Sequence, residues 1–178
     1  MPSSPVASAY DGMLTSRDIL DELVNAEGGF VHHAADRGGP TNMGITQATL
    51  GRWRRGRVTL EDVKALSHDE AVTIYREQYF RKTKIDQLPS RIQPIVLDDA
   101  VLSGPLTAIK TLQRHLRNAS VDGIIGPETC FLSTQVPSSE LLTNLVRSRV
   151  ERYCRIAQRD TSQVVFLVGW VRRAMRFL

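Results

Sequence analysis

An amphipathic stretch over residues 16–26 runs straight into Glu27-Gly28-Gly29-Phe30. A glycine-punctuated stretch, Asp36-Arg37-Gly38-Gly39-Pro40-Thr41 followed by Gly44-Ile45-Thr46, comes directly after it. Ile19, Leu20, Leu23 and Val24 recur at helical spacing, Thr15 or Ser16 serves as N-cap, and Asp18 sits in the first turn. The spacing therefore predicts a helix over 16–26 that Gly28 and Gly29 end, with a tight reversal following. Such a chain is expected to fold so that a carboxylate at a helix end faces a second carboxylate, Asp36, and the Thr41 hydroxyl.

Glu27 lies four residues after Leu23 and three after Val24. It is thus expected to continue the apolar face, at the negative end of the helix macrodipole. Partial desolvation and the dipole both disfavour the ionised carboxylate, which suits a general acid working near neutral pH. The bland alternative is an exposed Glu at a frayed helix end. Asp36 follows nine residues later and Thr41 five after that. An inverting glycosidase needs an acid and a base roughly 6.5–9.5 Å apart with a water between them, and a helix end facing a folded-back loop can supply that gap. Asp36 would polarise the water and Thr41 would help hold it; the alternative is a turn Asp that satisfies nearby backbone N–H groups. Neither G-x-G-x-x-G nor G-x-x-x-x-G-K-S/T occurs, so a phosphate loop is a poor reading of these glycines.

The remaining pattern is helical almost throughout. Thr46 is expected to cap a short helix through Arg55, and Thr59 to start another carrying Leu60, Val63 and Leu66. Ser67-His68-Asp69-Glu70 reads as a capping box opening a helix with Ala71, Ile74, Tyr75 and Gln78 on one side. Tyr75 and Tyr79, one turn apart, form either a stacking edge for sugar rings or part of the core. Residues 92–101 read as a buried helix under the cleft, with Asp98 and Asp99 as substrate contacts or structural groups. Pro105 suits the first turn of a helix burying Ala108, Ile109, Leu112 and Leu116. Asp122-Gly123 marks a turn, Pro127 opens a short helix, and Ser138 or Ser139 caps a long one towards Arg159. The last helix, over 163–177, is expected to bury Val164, Leu167, Val168 and Val171, with Trp170 as anchor.

The pattern E-G-G-F/Y, then D-x-G-G-x-T-x-x-G-I-T, resembles the glycoside hydrolase 108 muramidases, a lysozyme-like family of phage endolysins and bacterial cell-wall hydrolases. Further along, residues 74–80 resemble the family's I-Y-x-x-x-Y-W/F helix, and 98–105 its D-x-A-V-N-x-G-P stretch. Residues 108–113 and 121–129 resemble A-x-x-x-L-Q and V-D-G-x-I-G-P-x-T, and Gly169-Trp170 with Arg173 resembles a terminal G-W-x-x-R. The resemblance spans residues 14 to 177. It implies a predominantly α, lysozyme-like two-lobed fold with a small loop or β-hairpin after the catalytic Glu. It also implies hydrolysis, without cofactor or metal, of the β-1,4 bond between N-acetylmuramic acid and N-acetylglucosamine in peptidoglycan. Glu27 matches the family's acid, while Asp36 and Thr41 are similar to the Glu, Asp, Thr arrangement of phage-type lysozymes. Substrate contacts are expected from Gly39, Asn42, Thr46, Tyr75, Tyr79, Asp98 and Asp99. The expected organisation is a flexible tail over 1–13, a catalytic lobe over 14–86, and a peptidoglycan-binding-like helical lobe over 87–178 packed with it as one unit. Arg37, Leu102 and Arg172 depart from the family's Pro, Asn and Asn.

Composition bears on partners and compartment. The 178 residues are 42% hydrophobic, enough for a single core, and the net charge of +4 favours an anionic partner such as the bacterial wall. The basic residues are not interleaved with aromatics as in a single-strand nucleic-acid binder, so no nucleic acid is expected. The arginine-rich region 147–176 reads as solvated helix faces or as a surface attracted to anionic wall. Cys130 and Cys154 read as reduced core residues, and none of the four histidines has metal-ligand spacing. The longest apolar run, 164–171, is far short of the ~20 residues that span a bilayer. A monomer is expected, made in the cytoplasm without a signal peptide and reaching periplasmic peptidoglycan by holin, specialised export or lysis. The alternatives are a lytic transglycosylase using Glu27 alone, a catalytically attenuated peptidoglycan- or partner-binding protein, and, least favoured, a basic DNA-binding protein.

Overall fold

Nine helices and one small hairpin make up the described residues, 14–31 and 39–178 of the computed structural model. Helix α1, Ser16–Ala26, starts at a full capping box: Thr15 Oγ1 accepts from the Asp18 N–H, and Asp18 Oδ2 accepts from the Thr15 N–H at 2.7 Å. It buries Ile19, Leu20, Leu23 and Val24, as its spacing predicts, and stops where Gly28 takes φ of +75°. Strands β1, Thr41–Asn42, and β2, Ile45–Thr46, pair antiparallel with Thr41 opposite Thr46. Met43 and Gly44 both have positive φ at the turn, the geometry a two-residue hairpin demands. Val31 bridges to Thr41 through two backbone hydrogen bonds of 2.8 and 2.9 Å, tying the chain after Glu27 to the hairpin.

Helices α2, Gln47–Arg54, and α3, Leu60–Lys64, begin at Thr46 and Thr59 as expected. Helix α4, His68–Tyr75, has only half of its expected box. Ser67 accepts from the Glu70 N–H, but the Glu70 carboxylate is taken by a two-pronged pair with Arg54 at 2.9 and 2.7 Å. After Tyr75 the chain widens into a π-helical turn, Arg76–Arg81, and that wider turn rotates Gln78 out to solvent instead of onto the buried side.

Helix α5, Gln93–Ser103, is the central rod: its residues 94–100 are all buried, against α1 on one side and α6, Pro105–Gln113, on the other. Gln113, buried at the end of α6, holds the following loop. Its amide donates to Asp122, Ile124 and Thr129, and its oxygen accepts from the Gly123 N–H. Helix α7, Pro127–Thr134, follows, then the long α8, Ser138–Arg159, and α9, Val164–Met175, which folds back along α8. No serine caps α8; Ser138 is already its first residue, after Pro137. Leu167 and Trp170 pack on the core, but Val164 and Val168 are exposed, against expectation, because α9 packs mainly on α8 and leaves its opposite face open. Cys130 and Cys154 are unpaired thiols and only half-buried, and burial pushes the Cys130 thiol up from its ordinary pKa.

Candidate active site

Glu27 is the C-cap of α1, its N–H donating to Leu23 O at 3.1 Å. It is exposed, not partly buried, because the core-facing stripe ends with Val24 and the helix ends before a further turn could cover position 27. One edge of its carboxylate nevertheless lies against the hairpin turn. A Cβ on Gly44 would come within 3.0 Å of Glu27 Oε2 and 3.1 Å of its Cγ, and would overlap the Tyr75 hydroxyl. Gly44 also has φ of +72°. Backbone conformation and lack of space thus both require glycine where the turn meets the carboxylate.

Of the two parts its spacing allowed, Tyr75 takes the one in the core. Its ring is buried and stacked on Tyr79, with centroids 5.7 Å apart, so no ring face is left for a sugar. The hydroxyl donates to Met43 O at 3.2 Å, fixing the hairpin turn. Burial, then the negative charge of Glu27, then Tyr79 push this phenol well above its ordinary pKa, so it stays a neutral donor. Tyr79 remains half-buried at the same edge.

Thr41 is half-buried in β1, its backbone shared between Val31 on one side and Thr46 on the other. The same pairing places it beside the chain that leaves Glu27. Asp36, the expected base, lies outside the described residues, as do Arg37, Gly38, His32 and His33. Gly39 is half-buried just before β1. Thr46 is occupied as the N-cap of α2, accepting from the Thr49 N–H at 3.2 Å.

Three expected substrate contacts have structural work instead. Asn42 is buried, and its amide donates to the Val63 and Lys64 carbonyls at 2.9 and 3.2 Å, pinning the hairpin to α3. Asp98 and Asp99 are buried in α5 among arginines. Arg149 Nη2 and Arg173 Nη2 each donate to Asp98 at 2.6 Å, while Arg152 donates to Asp99. Ser103 also donates to Asp99 at 3.1 Å. These carboxylates are consumed internally because an apolar helix cannot bury two negative charges without cationic partners. Arg149 is only 1% exposed. Burial, the largest influence on it, opposes its charge, yet Asp98, Tyr153 and Asp99 together outweigh that and hold the guanidinium above its ordinary pKa. The reading of 147–176 as solvated faces or wall-facing charge therefore fails for Arg149, Arg152 and Arg173.

Sequence reasoning missed the Gly44–Tyr75 contact and these three arginines. The second had a signal: two adjacent aspartates in an otherwise apolar helix need partners, and the arginine-rich end of the chain supplies them.

A family model described as "Glycosyl hydrolase 108" matches residues 20–104, and one described as "Predicted Peptidoglycan domain" matches 107–175. Among curated proteins none matches. Among solved structures, the chain is similar to one titled "Structure of Brucella abortus SagA". The identity is 34% over 91% of this chain and 90% of that one, with a TM-score of 0.65. These similarities show that the chain belongs to the glycosyl hydrolase 108 family and is a glycoside hydrolase of peptidoglycan.

Proposed function

We propose that the chain is an N-acetylmuramidase, cleaving the β-1,4 bond between N-acetylmuramic acid and N-acetylglucosamine with Glu27 as general acid. The observation that carries this reading is the exposed Glu27 carboxylate at a helix end, with one edge set against the Gly44 turn. An acid must reach the glycosidic oxygen from solvent yet be held in one place, and this position provides both. Glu27 gives its proton to the leaving oxygen as the C1–O bond breaks. Asp36, helped by Thr41, orients a water towards C1 and takes its proton, leaving a reducing muramic acid end. The segment from residue 87 serves as the second lobe of the cleft. The packing of α5 against α1 and the Arg176–Glu22 ion pair at 2.7 Å, which tie that segment to the one carrying Glu27, support this.

The test is to digest isolated peptidoglycan with the purified protein and identify the released fragments by mass spectrometry. Reducing N-acetylmuramic acid ends are expected. Ends in 1,6-anhydro form would replace the proposal with a lytic transglycosylase, in which no water is activated. Reducing N-acetylglucosamine ends would mean that the other glycosidic bond is cut.

A further inference from the structure

The tip of the α8–α9 hairpin exposes an apolar patch framed by arginines that nothing in the site uses. Val164, Val165, Phe166 and Val168 are 50%, 76%, 53% and 60% exposed. Val165, Val168, Gly169 and Arg172 follow at helical i, i+3, i+4, i+7 spacing, so the apolar stripe runs directly into a cation. Arg155 and Arg159, a turn apart, occupy the last two turns of α8, the end joined to the start of α9 by the short turn Thr161–Gln163. Arg155, Arg159 and Arg172 are all exposed, and among the described residues none has an acidic partner. The neighbouring acids are already engaged, Glu151 by Arg147 and Asp160 by the Ser162 N–H and hydroxyl.

We propose that this patch docks on the surface of an anionic lipid bilayer, with α9 lying in the plane of the interface. Aliphatic side chains beside cations match the boundary between acyl chains and phosphates, where apolar burial and attraction to anionic headgroups add. Three features decide among occupants. A glycan strand needs hydrogen-bonding partners for its hydroxyl and acetamido groups, and three valines supply none. A second copy of the chain would bring like-charged arginines together. Among the described residues no helix, α9 included, is long and apolar enough to cross a membrane. Arg173 points the other way, into the Asp98 pair, while Trp170 contacts Tyr153 and stacks on Phe166, so the patch is anchored to the fold through Phe166.

Co-sedimentation of the full-length protein with phosphatidylcholine vesicles, and with the same vesicles containing phosphatidylglycerol, tests this directly. Binding only to the phosphatidylglycerol vesicles is expected. Replacing Arg155, Arg159 and Arg172 together by Gln is expected to weaken the partition by roughly 100-fold, since each cation near an anionic surface contributes comparably. The Val165→Ser, Val168→Ser variant, which spares the Phe166–Trp170 stack, should lose binding altogether. Both variants change exposed side chains, and unaltered thermal unfolding confirms that they are folded. Equal binding by parent and variants, or no vesicle binding by the parent, overturns the proposal. Vesicle binding that survives in the variants while their pelleting with isolated sacculi is lost overturns it in favour of a glycan-facing surface. A parent that is dimeric in solution and monomeric in the serine variant overturns it in favour of self-association.

Discussion

At Gly44 three requirements meet in one residue: a left-handed backbone, room for the Tyr75 hydroxyl, and room for the Glu27 carboxylate. Gly44→Ala is expected to cost about 1–2 kcal/mol from the left-handed conformation alone, and more because the new methyl overlaps the phenol oxygen. It should lower kcat on peptidoglycan more than it raises KM, since what it displaces is the acid. Removing the phenol oxygen makes room, so Gly44→Ala with Tyr75→Phe should recover part of that kcat loss; steady-state kinetics of the single and double variants provide the check. Tyr75→Phe alone removes the hydrogen bond to Met43 O and should cost about 1 kcal/mol of stability in denaturant unfolding. The Gly28 stop and the hairpin glycine Gly44 were legible because a helix stop and a positive-φ turn leave residue-type signatures. The contact of Tyr75 with Gly44 was not, since it joins residues 31 apart and depends on which way a ring turns.

Among the elements, the helices announced their starts more faithfully than their exposed faces. Thr15, Thr46, Thr59 and Ser67 all cap as their sequences indicate, because capping is local chemistry. Gln78 and α9 defied the pattern. A π turn shifts the register in the first case, and in the second a hydrophobic helix packs mainly against α8 and leaves its other face open, which periodicity alone does not reveal. Between elements, His115 in the turn after α6 meets Ser148 of α8 at 2.8 Å. Burial first, then Arg114 and Arg147 against the opposing pull of Glu151, push its pKa below the ordinary 6.5. The folded state therefore resists a proton that the unfolded chain accepts, so stability is lost as pH falls below 6.5 and stops declining once His115 protonates in the fold. Thermal unfolding of the parent should fall more steeply just below that point than unfolding of His115→Gln, which keeps a partner for Ser148 but does not titrate. Parallel slopes would contradict this.

For the whole molecule, the buried ion cluster is what joins the segment matched as a glycosyl hydrolase to the one matched as a peptidoglycan domain. Asp98 and Asp99 come from α5, and Arg149, Arg152 and Arg173 from α8 and α9. Asp98→Ala strands two guanidinium groups and should cost about 3–5 kcal/mol, read as a lowered denaturant midpoint. Because the cluster belongs to both segments, parent and variant should each unfold in one transition, with fluorescence and circular dichroism coinciding; two separate transitions would show independent modules. The helical class and the hairpin after Glu27 could be read from the sequence, whereas this joint could not. Its partners lie 51 to 75 residues apart, and exposed and buried arginines look alike in sequence.

The most direct test of the central claim compares the parent with Glu27→Gln, which keeps the shape of the side chain and removes its proton, in release of soluble fragments from isolated sacculi. The account predicts a loss of about 100- to 10,000-fold in kcat, with sacculus binding and thermal unfolding unchanged. A Glu27→Gln variant that releases fragments at the parent rate would contradict it, and the acid would then have to be sought elsewhere in the cleft.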